Sequence, residues 1–306
     1  MNSPKISQKG SHMHQPSAQP LILSGNKPCG LSLTYRHLPE RNAKKVLQNL
    51  SQHFDPQKGI IGLGEPLVSA FSRKVPGLRT FPGLSGANCS SPSTQGSLWI
   101  FLQGNDRSEI FDQLLPLSDI LNDSFSPDDQ IDTFLYAGGK DLSGYEDGTE
   151  NPSGEKALDV AIATEREGVA GSSLVAVQRW VHDLKHFRTH SQNERDNIIG
   201  RKQATNEEIL DADPSAHVKR SAQESYTPPA YMLRRSMPWA LNLEQGLEFI
   251  AFGKTLDPFE HVLRRMMGLD DGIADALFTF SRPVRGGYYW CPPIMGDRLD
   301  LRFLFD

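Results

Sequence analysis

Residues 144–152 read Gly-Tyr-Glu-Asp-Gly-Thr-Glu-Asn-Pro and hold Asp147 between Gly144 and Gly148. Glycine adopts left-handed backbone without steric cost, so a carboxylate between two glycines can be aimed into a cavity instead of at solvent. Asp, Gly, Asn and Pro are also the ordinary turn formers. Two readings of Asp147 therefore stand, a catalytic carboxylate or part of a solvated acidic turn.

The stretches on either side follow a similar order of elements. Before the turn, 31–37 reads as a strand, Ala43, Val46, Leu47, Leu50 and Phe54 recur at helical spacing, and 59–64 is a short strand. Residues 97–103 add a strand, 110–117 return to helical spacing, and 133–136 close the unit as a strand. The Pro-, Gly- and Ser-rich run 75–96 is a long loop. After the turn the pattern restarts at 172–180, where Leu174, Val175, Ala176 and Val177 suit a strand buried on both faces. A charged stretch, 193–213, follows; 247–252 and 278–289 read as strands, and 258–267 as a helix carrying Phe259, Val262 and Met266. Strands interleaved with helices on both sides predict a duplicated α+β sandwich with helices on a sheet face. The boundary falls within 138–155, giving domains at 21–143 and 144–306 after a flexible extension, 1–20, rich in Ser, Gln, Lys, His and Pro. The turn then sits at the junction of the halves, a common place for a ligand pocket.

A chain of 306 residues is long enough to bury a sizeable site. Its net charge of -5, with no sustained Lys/Arg run, argues against a nucleic-acid surface and for a small-molecule partner. Cys29, Cys89 and Cys291 are far apart and form no Cys-x-x-Cys, which excludes a zinc knuckle, an iron–sulfur motif and covalent haem attachment, and fits a reducing compartment. No apolar run approaches the roughly 18 residues of a membrane span, and the amino terminus lacks the apolar stretch of a secretory signal. A cytoplasmic protein without membrane contact is expected. Phe303-Leu304-Phe305 packs either on the core or at a subunit contact, and a homo-oligomer is expected.

Asp213-Pro-Ser-Ala-His217 places a histidine after a proline and two small residues. A lone histidine is commonly a surface or satisfied core residue. Further on, Met232-Leu-Arg-Arg-Ser-Met-Pro-Trp239 embeds Arg234 and Ser236 among apolar neighbours. A partly buried arginine needs an anionic partner, which Asp147 can provide.

Together these segments resemble the dye-decolourising peroxidase family. Gly144-Tyr-Glu-Asp147-Gly148 matches its Gly-x-x-Asp-Gly motif; Asn197-Ile-Ile-Gly-Arg201-Lys202, His217 and Leu233-Arg234-Arg-Ser236-Met-Pro238 follow in the family's order and spacing. Phe280-Ser-Arg-Pro-Val-Arg-Gly-Gly-Tyr-Tyr289 is similar to the compact bacterial members, with a deferrochelatase-like branch closest in kind. The resemblance covers roughly 30–291. It implies a haem b enzyme of two ferredoxin-like halves, with antiparallel sheets packed in a sandwich, helices outside, and haem in the second half beneath the acidic turn.

The resemblance also implies roles. His217 is the expected proximal iron ligand, and Asp275 the carboxylate behind it that fixes its tautomer. Asp147 and Arg234 are the expected distal pair, and Ser236 stands where many members have asparagine, with a shorter reach for a distal water. Arg201 is the expected propionate partner. Hydrogen peroxide is then reduced through a ferryl intermediate, and phenols or dyes, small aromatic reductants, supply single electrons. Trp180, Trp239, Tyr288 and Tyr289 either relay those electrons or simply pack. Two other classes remain open: a haem carrier for trafficking or iron release, using the same His217, and a haem-free hydrolase using Glu146, Asp147 or Glu150 as paired carboxylates.

Overall fold

The computed structural model describes residues 17–164 and 169–306. The first half runs α1 (Pro20–Leu23), β1 (Cys29–His37), α2 (Ala43–His53), β2 (Gly59–Gly64), α3 (Glu65–Ala70), β3 (Leu98–Gly104), α4 (Arg107–Leu121) and β4 (Phe125–Phe134). The second runs α5 (Gly154–Ala161), β5 (Ser173–His182), α6 (Leu184–Phe187), α7 (Gln192–Ile199), α8 (His217–Ser221), β6 (Leu233–Arg234), β7 (Met237–Leu241), β8 (Glu244–Gly253), α9 (Asp257–Met266) and β9 (Ser281–Cys291), before a terminal α10 (Arg302–Phe305).

All the strands named join one antiparallel sheet in the order β4-β1-β3-β2-β9-β5-β8-β6, with β7 also on β8. Each half is a β-α-β-β-α-β unit whose four strand positions lie in the order fourth, first, third, second, which is the ferredoxin-like arrangement. Where β2 meets β9, Tyr289 pairs with Gly64 and Trp290 with Leu63, which carries the sheet from one half to the other. The halves also pack face to face. Ile60, Trp99 and Phe101 from the first pack with Val175, Val177, Ile250, Phe252 and Tyr289 from the second in one buried cluster. Beside it Glu248 accepts from Ser32 Oγ at 2.7 Å and from Arg179 Nε at 3.0 Å, and Arg179 pairs with Asp129 across the seam at 2.6 Å. Paired and hydrogen-bonded on every side, these buried charges avoid the cost of an isolated ion.

The helices cover the opposite faces. Asn42 caps α2 through Lys45 N, and Ala43, Val46, Leu47 and Leu50 bury its inner face. In the second half Phe259, Val262, Leu263 and Met266 bury one face of α9 while Arg264 and Arg265 occupy its last turn. Strand β5 is buried on both faces, as its apolar run predicts. Val175 and Val177 turn to the sandwich, whereas Leu174, Ala176 and Trp180 turn to the helices.

Four expectations shift. Of the extension expected over 1–20, residues 1–16 lie outside the described residues, but Ser17 pairs with Ile294 and buried Gln19 donates to the Ile61 and Pro292 carbonyls, each at 2.9 Å. The closing strand begins at Phe125 instead of 133, because its Ser-Pro-Asp-Asp run lies at the sheet edge, where proline and charge are tolerated. The strand expected from 278 starts at Ser281, after a single 3₁₀ turn, Ala276–Thr279, capped by Asp275. Part of the charged stretch is helix α7, started by a reciprocal Ser191/Glu194 capping box. Leu304 is buried in the core with Phe303 and Phe305 against it, so the terminal apolar triplet packs on its own chain. No helix among the described residues is long and apolar enough to cross a membrane.

Candidate active site

Gly144 and Gly148 both take left-handed backbone, with φ of +89° and +78°, as the turn's sequence predicts. Between them the side chains alternate. Tyr145 is buried against Phe187, Ile199 and Phe280 and donates to Asp196 Oδ1 at 2.6 Å. Glu146 is exposed, 3.4 Å from Lys140, at the rim of a cavity on the helix-covered face of the second half that Asp147 also lines. Glu150 is exposed beside Arg201 and is not among the cavity's lining residues, while Glu146 is paired with Lys140.

The cavity contains about 970 Å³ of empty space, its open mouth included. Leu247 and Phe249 of β8, Trp180 of β5 and Phe259, Val262, Leu263 and Met266 of α9 give it apolar walls. His217, at the start of α8, enters from one wall; Asp147 and Arg234 also line it. Of the four aromatic residues considered as electron relays, Trp180 alone is among the cavity's lining residues.

His217 Nδ1 lies 2.8 Å from Asp275 Oδ2, and the Asp275 side chain has 0% of its surface exposed. A carboxylate only accepts, so in the neutral ring Nδ1 carries the proton and Nε2 keeps its lone pair. Among the described residues Nε2 has no hydrogen-bond partner, while 29% of the side chain remains accessible. Burial alone would lower the His217 pKa; the facing Asp275 charge outweighs it and raises the pKa above the ordinary histidine value. Asp275 is itself fixed, since its Oδ1 accepts from Leu277 N at 2.8 Å.

Arg234 brings its guanidinium to the same cavity, and its Nε is buried with no hydrogen-bond partner among the described residues. Burial raises the Asp147 pKa above the usual carboxylate range; Arg234 and His217 pull it back, and Asp141 adds to the rise. Asp141 belongs to a second buried chain in the cavity wall. Its Oδ2 lies 3.2 Å from His182 Nε2, and His182 Nδ1 lies 2.6 Å from Ser281 Oγ. Burial would raise the Asp141 pKa, but the His182 bond and backbone donors leave it at about 2. Asp141, His182 and Ser281 carried no local sequence signal: the histidine ends an apolar strand, and the residues are 41 and 99 positions from it.

Two expected site residues are not brought to the cavity. Ser236 Oγ accepts from Ile250 N at 3.2 Å and its carbonyl accepts from Asn26, and the residue is not among those lining the cavity. Arg201 pairs with Glu150 at 3.2 Å and Glu208 at 3.7 Å, between the acidic turn and the segment after α7. Asp147, Arg234, His217 and Asp275 are brought together, across 128 residues of sequence from first to last.

The family model described as Dyp-type peroxidase, C-terminal, matches residues 139–296, which contain all four. The chain is 31% identical over 230 residues to the dye-decolorizing peroxidase of Mycobacterium tuberculosis, covering 73% of this chain and 68% of that protein. It is 29% identical over 328 residues to that of Mycolicibacterium paratuberculosis, covering 98% and 91%. A solved dye-decolorizing protein from V. cholerae superposes with a TM-score of 0.79 at 28% identity, covering 89% of this chain and 95% of that one. A variant of DypB from Rhodococcus jostii, solved in complex with heme, gives 0.78 at 26% identity, covering 89% and 94%. The chain belongs to the dye-decolourising peroxidase family, and is an enzyme of the peroxidase class that acts on hydrogen peroxide.

Proposed function

We propose that this chain binds haem b in the cavity described, through His217, and uses it to reduce hydrogen peroxide while oxidising phenolic or dye-type reductants one electron at a time. One observation carries the reading: His217 has Nδ1 held by buried Asp275 and Nε2 free on a cavity that Asp147 and Arg234 also line. The apolar walls suit a flat macrocycle, and among the described residues no cluster of three or more His, Cys, Asp or Glu gathers to hold a bare metal ion. A single axial imidazole, backed by a carboxylate, suits an iron that is otherwise held by its own ring. Arg234 Nε, buried without a partner, suits a site that receives negative charge from a ligand. When bound, haem supplies the redox-active iron and the conjugated ring that hold the oxidising equivalents.

The protein's own part is proton transfer and charge stabilisation. Asp147, once ionised, takes a proton from hydrogen peroxide and returns it to the oxygen that leaves as water. Arg234 stabilises the negative charge that develops on that oxygen, and in a cavity with apolar walls the interaction is stronger than in water. Asp275 holds the His217 ring in one tautomer throughout. Because burial raises the Asp147 pKa, the reaction with peroxide speeds up as pH rises through that pKa. Oxidation of the reductant consumes protons and favours acid, so the overall optimum is acidic.

Reconstitution with haem tests this. His217→Ala should lose haem, while Arg234→Ala should retain it and react slowly with peroxide. A haem-replete Arg234→Ala protein as fast as the unaltered one would overturn the Arg234 role. Turnover of a phenol or dye no faster than by free haem would overturn the peroxidase reading in favour of haem carriage.

A further inference from the structure

Arg234 reaches the cavity from β6, a two-residue strand at the end of the sheet order. On one side it pairs with Ala251 of β8. On the other side the Asn151 side chain stands where the next strand would be. Asn151 Oδ1 accepts from Arg234 N at 2.8 Å, and Asn151 Nδ2 donates to Arg234 O at 2.9 Å. A primary amide presents its C=O and N–H side by side, as a neighbouring peptide group does, so one side chain satisfies both backbone groups of the strand.

Asn151 is four residues from Asp147 in the same turn, and its own N–H donates to Gly148 O at 2.9 Å. Asp147 and Arg234 share no direct hydrogen bond among the described residues, and the Arg234 Nε has no partner there. Their separation is therefore set by the backbones that carry them, and the two Asn151 bonds tie those backbones together. We propose that Asn151 is a positioning residue that fixes Arg234 relative to Asp147 for the reaction with peroxide. This rests on the peroxidase reading given above. Transition-state stabilisation depends steeply on such placement: a shift of about 1 Å can cost roughly a hundredfold in rate.

The test combines amide exchange with a double-mutant cycle. In the haem-free protein, Asn151→Ala should speed hydrogen exchange at the Arg234 amide about tenfold or more, because its acceptor is gone. In the haem-loaded protein, Asn151→Ala should leave the Soret band and haem affinity unchanged while the second-order rate constant for peroxide falls roughly 10- to 100-fold. Added to Arg234→Leu, it should cost less than about twofold more, since residues acting as a unit are not additive. Asn151→Asp serves if the alanine variant fails to fold; it keeps an acceptor for Arg234 N but sets a carboxylate against Arg234 O, and should show the same non-additivity. Equal fractional losses with and without Arg234, or no change in exchange at Arg234, would overturn the proposal. Wild-type kinetics in Arg234→Leu alone would overturn the Arg234 role on which the proposal rests, turnover no faster than by free haem would overturn the peroxidase reading itself, and the exchange measurement would still decide whether Asn151 holds the strand.

Discussion

Replacing Asp275 by asparagine tests how the cavity presents its histidine. The Asp275 carboxylate accepts from His217 Nδ1 and from Leu277 N, both at 2.8 Å. An amide has one oxygen for these two donors. If it stays with Leu277 N, an NH₂ group faces His217 Nδ1, which then does best as an acceptor. The ring proton moves to Nε2, the nitrogen that faces the cavity and would have to bind iron. A hydrogen bond to a charged group contributes about 1.5–3 kcal/mol, equivalent to roughly 10- to 100-fold in an equilibrium constant. That matches the 10- to 100-fold loss typical when a carboxylate behind a metal-bound histidine is removed. Asp275→Asn should therefore weaken haem binding by about that factor at pH 7, read by competition for haem against a high-affinity scavenger protein while the Soret band is followed. Affinity within about twofold of the unaltered protein, with an unchanged spectrum, would refute the assigned role of Asp275.

The remaining predictions concern the turn and its supports. Asp147 has its pKa raised on folding, so its ionised form burdens the fold fully above the folded pKa and not at all below the unfolded one. Asp147→Asn should raise the Tm of the haem-free protein at pH 7 and bring no gain near pH 3, while slowing the reaction of the haem-loaded protein with peroxide; an unchanged Tm at pH 7 would count against the buried carboxylate. For Asp141 the sign is opposite. Its folded pKa of about 2 lies below the ordinary 3.8, so its contribution is full at neutral pH and fades as pH falls from about 4 to 2. Asp141→Asn should cost about 2 kcal/mol at pH 7 and about half of that at pH 3, measured by urea unfolding. Tyr145→Phe removes the bond to Asp196 but leaves Gln192 and Gln203 N on that carboxylate, and should cost about 1.5–3 kcal/mol by chemical denaturation.

Much of this arrangement was legible in the chain because it depends on local signals. Two glycines flanking Asp147 announced the left-handed turn, and the apolar spacing of Ala43, Val46, Leu47 and Leu50 announced α2. Strand β4 was obscured because its Ser126-Pro-Asp-Asp129 segment is polar, and its acids are neutralised by distant arginines such as Arg36, Arg179 and Arg285, which no local window contains. The same limit applies at the site. Motif order brought Asp147, His217, Arg234 and Asp275 into view, whereas the Asp141–His182–Ser281 chain exists only once the turn, β5 and β9 are assembled. Ser236 shows a placement that motif order does not reveal. Sequence position put it beside Arg234, but its hydroxyl accepts from Ile250 N in the neighbouring strand and it is not among the cavity's lining residues.

The most direct test of the central claim is an absorbance spectrum of the haem-reconstituted protein before and after one equivalent of hydrogen peroxide, alongside His217→Ala treated identically. The account predicts a Soret band that shifts promptly with peroxide and reverts when a phenol is added, with neither band nor shift in the variant. A colourless reconstituted protein, a Soret band indifferent to peroxide, or a variant that behaves as the unaltered protein would contradict it.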